Sequence, residues 1–135
     1  MDCGLSIFKQ YFAAGSDYSY DLEHIGNYYK GYLNLMDHWN IALPDRILSV
    51  QYEKLLDNFS DSVEDMLAFI GVDFEEACLK FHQTKRAVRT ASSEQVRQPI
   101  HNKSWGLWKN IQEDLHPLKA TLGPDILKRF DTYLN

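Results

Sequence analysis

Cysteine is scarce: Cys3 and Cys78 are the only two in 135 residues, too few for the disulfide framework that staples many small domains. The pair fits a reducing, cytoplasmic setting, and each is expected as a small buried or half-buried apolar residue. No apolar run approaches the roughly 18 residues of a membrane span. The opening Met1-Asp2-Cys3-Gly4 lacks the basic-then-apolar layout of a signal peptide. Gly4, Gly15, Gly26, Gly31, Gly71, Gly106 and Gly123 are scattered, and none forms a phosphate loop or a dinucleotide fingerprint. His24, His38, His82, His101 and His116 have no metal-ligand spacing. A Gly-x-Ser-x-Gly nucleophile turn is missing, as are internal repeats and low-complexity tracts. The residues by themselves therefore show no complete catalytic machinery and no metal centre.

What the chain does have is an ordinary globular composition, 44% hydrophobic and 24% charged, at a length that suits one domain. The net charge of −5 disfavours nucleic-acid binding, which needs a basic footprint. Charge is unevenly placed. From Lys85 to Lys109 the chain holds Lys85, Arg86, Arg89, Arg97, Lys103 and Lys109 against Glu94 alone, a net of +5, while the remainder carries −10. A basic segment in an acidic chain suits a local anionic ligand, although a solvated face is the plainer reading.

Periodicity predicts a mostly helical chain. Leu5, Phe8 and Phe12 mark a helix over residues 3–14, with Gly15 as its stop. Asp17 or Ser19 is a candidate cap for the next helix. There Leu22, Ile25, Tyr29, Tyr32, Met36 and Trp39 form one continuous apolar stripe, and Pro44 closes the segment. Arg46 to Tyr52 is rich in strand formers and is expected as the one strand. Glu53 to Asp57 reads as a helical turn. A helix from Ser60 or Ser62 is expected to bury Val63, Met66, Leu67 and Ile70 and to end at Gly71. Phe74 to Phe81 is a further short helix, and residues 84–104 read as a long loop of the kind that is usually functional. Trp105 to Ile111 reads as a helical turn. Leu115 to Leu122 and Asp125 to Leu134 are terminal helices, the second with Pro124 near its first turn.

A lone strand among helices is a physical problem. It normally belongs to a parallel sheet buried on both faces. Alone it leaves backbone groups unpaired, at about 1–3 kcal/mol for each buried orphan. The expectation is therefore an α/β fold by ancestry, of which this chain is a C-terminal piece, predominantly α-helical with one or few strands. The alternative is an all-helical domain in which Ile47 to Tyr52 is merely extended.

One stretch points to a family. Arg86 to Ile100 reads Arg-Ala-Val-Arg-Thr-Ala-Ser-Ser-Glu-Gln-Val-Arg-Gln-Pro-Ile. It resembles the Thr-Ala-Ser-x-x-Gln-Val-Arg-x-Pro-Ile signature of sulfotransferases. The likeness is greatest to bacterial members that are often joined to tetratricopeptide repeats and are related to tyrosylprotein sulfotransferases. Asp2, Leu5, Ser6, Tyr11 and Phe12 resemble the tail of that family's phosphate-binding element. Tyr18 to Tyr32, continued by Met36, His38 and Trp39, is similar to its Tyr-Ser-x-Asp-Leu-x-x-Ile-Gly-x-Tyr-Tyr helix. Val50 to Leu55 resembles its Tyr-Glu-x-Leu segment, and Trp108 the tryptophan of its closing segment. The motifs occur in the family's order over residues 2 to about 122.

The resemblance implies a P-loop-like sulfotransferase fold. It also implies transfer of a sulfuryl group from 3′-phosphoadenosine 5′-phosphosulfate (PAPS) to a hydroxyl or amine, leaving 3′-phosphoadenosine 5′-phosphate (PAP). By the same resemblance Ser6 contacts the 3′-phosphate and Tyr52 approaches the nucleotide. A loop carrying Ser92, Ser93, Gln95, Val96 and Arg97 wraps the adenosine and 3′-phosphate, with Arg97 giving a forked contact. No catalytic residue is implied within the chain, because the glycine-rich loop that grips the phosphosulfate and the catalytic base lie in a half of the domain not seen here. Leu107 and Gln10 also stand where relatives often carry a basic residue. The expected whole is thus residues 1–135 as the C-terminal portion of a sulfotransferase domain, itself inactive, with an unidentified acceptor and neither nucleic acid nor membrane as partner. The rival function is a helical interaction module that kept the scaffold and lost catalysis. Exposed apolar faces left without their sheet are expected to self-associate in either case.

Overall fold

The computed structural model describes residues 1–85, 87–89 and 93–130. By its contacts the chain divides into two compact units, one of Met1–Ile47 with Ser104–Asn135 and one of Leu48–Lys103.

In the first unit, α1 (Asp2–Lys9) is shorter than its apolar spacing predicts. The reason is a competing hydrogen bond. The Tyr20 hydroxyl accepts from the Phe12 N–H at 3.2 Å and donates to the Phe12 carbonyl at 2.5 Å, which holds the chain outside a helix at that point. Neither Asp17 nor Ser19 caps the next helix. Asp17–Tyr20 is a 3₁₀ turn with Ser19 fully buried, and Asp21 is the cap, accepting from the His24 N–H at 2.8 Å. α2 (Leu22–Ala42) then runs for 21 residues. Its core face is Leu22, Ile25, Gly26, Tyr29, Leu33 and Met36, whereas Tyr32 and Trp39 of the expected stripe are exposed. The last helix, α5 (His116–Phe130), breaks at Gly123 (φ 76°, ψ 166°). That break lies between the two terminal helices that the sequence predicts.

Ile25, Leu118 and Leu122 form the centre of this unit's core, with Met1, Ile7, Tyr18, Leu22, Tyr29, Ile126 and Leu127 packed around them. Two glycines make the packing possible. A methyl on Gly26 would lie 2.7 Å from Thr121 Cγ2 and 2.9 Å from its Cβ, and one on Gly4 would lie 2.5 Å from Leu118 Cδ2. Cys3 is exposed, contrary to the expectation of a buried or half-buried residue, and Cys78 is half-buried, in line with it.

The second unit opens where the strand was expected. Among the described residues there is no strand: the Arg46 N–H closes a turn onto the Leu43 carbonyl at 3.3 Å, residues 47–51 join no ladder, and Tyr52 already opens a helix. The α/β expectation is not met among the described residues, which supply no second strand for this segment to bond. The segment is extended and unpaired, with Gln51 at φ −90° and ψ 125°. Two helices follow, α3 (Tyr52–Asp57) and α4 (Phe59–Ile70). Gly71 ends α4 at φ 75°, and the Val72 N–H reaches back to the Leu67 carbonyl at 3.1 Å, a left-handed helix stop. Of the apolar residues assigned to α4, Val63 is buried, Met66 and Leu67 are half-buried, and Ile70 is 66% exposed. The helix expected over Phe74–Phe81 is a 3₁₀ segment displaced to Glu76–Gln83. It packs Phe81 edge-on against Phe59, with ring centroids 5.8 Å apart.

Candidate functional site

The expected nucleotide-contacting residues fall in both units. Tyr52, Ser93, Gln95, Val96 and Arg97 belong to the second and Ser6 to the first. Ser92 lies outside the described residues, as do Arg86, Thr90 and Ala91 of the same signature.

In the second unit the long loop is held by side chains at both ends. Gln95–Arg97 forms a short 3₁₀ turn, closed by the Gln98 N–H on the Gln95 carbonyl at 3.1 Å. From this turn Arg97 donates to the Thr84 carbonyl at 2.7 Å and so ties residue 97 to the start of the loop. Tyr52 opens α3, and its hydroxyl donates to the His101 carbonyl at 2.7 Å, which ties the far end of the loop to that helix. Tyr52 and the signature segment are thus brought together by a contact across 49 residues. Ser93 and Val96 are half-buried, while Gln95 and Arg97 are exposed. Hydroxyl, amide and guanidinium are the polar groups of the assigned residues here, and Glu94 is the one carboxylate between Lys85 and Lys109. A donor-rich set of this kind fits a phosphate ester. Tyr52 sits at the start of a helix, not at the end of a strand as expected.

A separate cleft of about 130 Å³ is lined by Leu48–Gln51, Lys54, Ser62, Asp65 and Met66. It is well below the roughly 300 Å³ at which ligand pockets begin. The Gln51 Oε1, His82 Nδ1 and His101 Nδ1 atoms of this unit are buried without a hydrogen-bond partner.

In the first unit Ser6 is exposed on α1, one helical turn from Asp2 and on the same face. Sequence reasoning gave Asp2 no task. Its carboxylate accepts from the Gly106 N–H at 2.8 Å and the Trp108 N–H at 3.2 Å, so it caps the 3₁₀ turn Leu107–Ile111 from a remote helix. Gly106 adopts φ 74° to present both N–H groups, a conformation that glycine reaches without strain. This closing segment carries Trp108 and Lys109 beside α1. A second feature not foreseen is the ion pair of Arg129 with Asp37, two hydrogen bonds of 2.9 and 2.6 Å that join α5 to α2. The hydrogen bonds from Arg129 hold the Asp37 carboxyl below its ordinary value of 3.8, and Asp37 raises Arg129 in return.

Among the described residues no cluster of His, Cys, Asp or Glu is placed to hold a metal ion, and no helix is long and apolar enough to cross a membrane.

No solved structure matches the chain. It is 30% identical over 121 residues to an uncharacterized protein of Aquifex aeolicus (strain VF5), an alignment covering 87% of this chain and 16% of that protein. The chain therefore spans about a sixth of that relative's length. Residues 1–76 match the model of the sulfotransferase family, more than half of the chain and including α1, α2 and the Tyr52 segment, so the chain belongs to the sulfotransferase family.

Proposed function

We propose that residues 1–135 are the C-terminal portion of one sulfotransferase domain and supply the part of its site that binds the adenosine and 3′-phosphate of PAPS. The donor, when bound, supplies a sulfuryl group activated by its phosphate leaving group. This chain's residues hold the other end of the nucleotide. Arg97 gives a forked, charge-assisted contact to the 3′-phosphate, Ser92 and Ser93 give hydroxyl donors, and Gln95, Val96 and Tyr52 border the adenosine. The acceptor is a hydroxyl or amine chosen by residues outside this stretch. The two free thiols fit a reducing, cytoplasmic setting.

The observation that carries this reading is the signature segment itself. It is the one basic stretch of an acidic chain, and Arg97 fixes its turn at one end while Tyr52 fixes the other. Calorimetric titration of the chain with PAP tests it. Binding is expected, weaker than in an intact domain, and adenosine 5′-phosphate is expected to bind less well because it lacks the 3′-phosphate. Arg97→Met is expected to weaken PAP by about tenfold or more, since hydrogen bonds to charged groups contribute roughly 1.5–3 kcal/mol. No heat at millimolar PAP would overturn the reading and favour an interaction module that has kept only the scaffold.

A further inference from the structure

Every residue from 68 to 77 is exposed, a stretch that runs through the last turn of α4, its Gly71 stop and the start of the next 3₁₀ segment. Four of these residues are large and apolar: Phe69, Ile70, Val72 and Phe74 are 41%, 66%, 49% and 43% exposed. The helix stop gathers them. Gly71 turns the chain through a left-handed backbone, and the bond from the Val72 N–H to the Leu67 carbonyl lays Val72 back beside the turn that carries Phe69 and Ile70. Contiguous apolar surface framed by polar residues marks a contact site.

The frame has one sign. Between Lys54 and Lys80 the chain has Asp57, Asp61, Glu64, Asp65, Asp73, Glu75 and Glu76, and no Lys, Arg or His. Asp65 stands one turn before Phe69 on the same face of α4. Asp73 separates Val72 from Phe74, and Glu75 follows. Lys80 is the next cation along the chain, and it is bonded to Glu76 at 2.6 Å.

This charge selects among occupants. A second copy laid on the patch about a twofold axis would set acid against acid, the like-charge contact by which interfaces reject a partner. An anionic lipid surface is repelled for the same reason. A polypeptide that carries Lys or Arg around apolar side chains matches both parts of the surface. Its apolar groups cover the four exposed side chains, and its cations face the carboxylates, which also speed encounter. From this complementarity we infer that the end of α4 docks a basic, amphipathic segment of a partner polypeptide on Phe69, Ile70, Val72 and Phe74. None of these residues is assigned to PAP, so the inference stands apart from the nucleotide reading.

Fluorescence anisotropy of the full chain tests it, with a labelled peptide of leucine and lysine in helical repeat as the probe. Saturable binding with a micromolar dissociation constant is expected, weakening as salt is added. The same peptide with glutamate for lysine is expected not to bind. One with serine for leucine is expected to bind at least about tenfold more weakly. Ile70→Gln with Val72→Gln removes apolar contact at exposed positions, and Asp73→Asn with Glu75→Gln removes charge. Each pair is expected to raise the dissociation constant at least about tenfold, with helical circular dichroism unchanged. Glu23→Gln, which removes an acid from α2, is expected to leave it unchanged. No binding of the leucine–lysine peptide at millimolar protein would overturn the inference. Equal binding of the serine peptide would also overturn it, reducing the surface to a field of charge. Affinity kept by both paired variants would place the contact elsewhere. A dimer in sedimentation equilibrium that Ile70→Gln abolishes would show that a second copy covers the patch instead.

Discussion

Asp37 and Arg129 meet at the surface, and their titration gives the chain a readable acid response. The Arg129 hydrogen bonds keep the folded Asp37 carboxyl below its ordinary value of 3.8. Protons are therefore bound more tightly by the unfolded chain than by the folded one. The pair's contribution is complete above pH 3.8 and disappears as pH falls through the lowered folded value. Urea unfolding of the wild type and Asp37→Asn is expected to separate at neutral pH and to converge below pH 3.8. Added salt is expected to narrow the gap, because both side chains are solvent-exposed. Asp2 shows how far such residue-level roles are hidden from sequence. Its partners are 104 and 106 positions away, and no local pattern announces them. The only local hint was Gly106, a residue suited to the left-handed backbone that exposes two N–H groups together.

At the scale of elements, the helices were legible where a buried face repeats and illegible where a distant group intervenes. The 3.6-residue rhythm from Leu22 locates α2, and Gly71 ends α4 as read. α1 stops early because the Tyr20 hydroxyl takes both backbone groups of Phe12. The strand-like composition of Arg46–Tyr52 misleads because β-propensity records fit to a sheet, and the described residues offer no neighbouring strand. The crossing of α2 and α5 depends on Gly26, where an added methyl would meet both Cγ2 and Cβ of Thr121 within 3 Å. Thr121 Cβ cannot rotate away. Gly26→Ala is therefore expected to cost about 1–3 kcal/mol in urea unfolding, the range for overpacked cores, although alanine favours a helix over glycine. An unchanged or raised stability would mean that the two helices separate freely.

For the molecule as a whole, the family was legible before the fold. Motifs in the right order carry kinship without any geometry, and the family match over residues 1–76 supports it. The fold did not follow, since a parallel sheet is a property of several strands together and this stretch shows none among its described residues. Of the candidate site, the sequence singles out residues but not how they are held. The turn at Gln95–Arg97 and the tie from Tyr52 to His101 bring named residues into one unit, while Ser6 belongs to the other. Burial is also uneven: the first unit holds Leu5, Ile25, Leu33, Leu115, Leu118 and Leu122, and among the described residues of the second only Val63 is a buried hydrophobic. A thin core suits a segment whose order is completed by a ligand. The most direct measurement is a backbone amide NMR titration of the full chain with PAP. Shifts concentrated at Ser93, Gln95, Val96 and Arg97, with Tyr52 responding at the same nucleotide concentration, are the expected result. Saturable shifts confined to other residues, or none at millimolar PAP, would contradict the assignment of this segment to the sulfate donor.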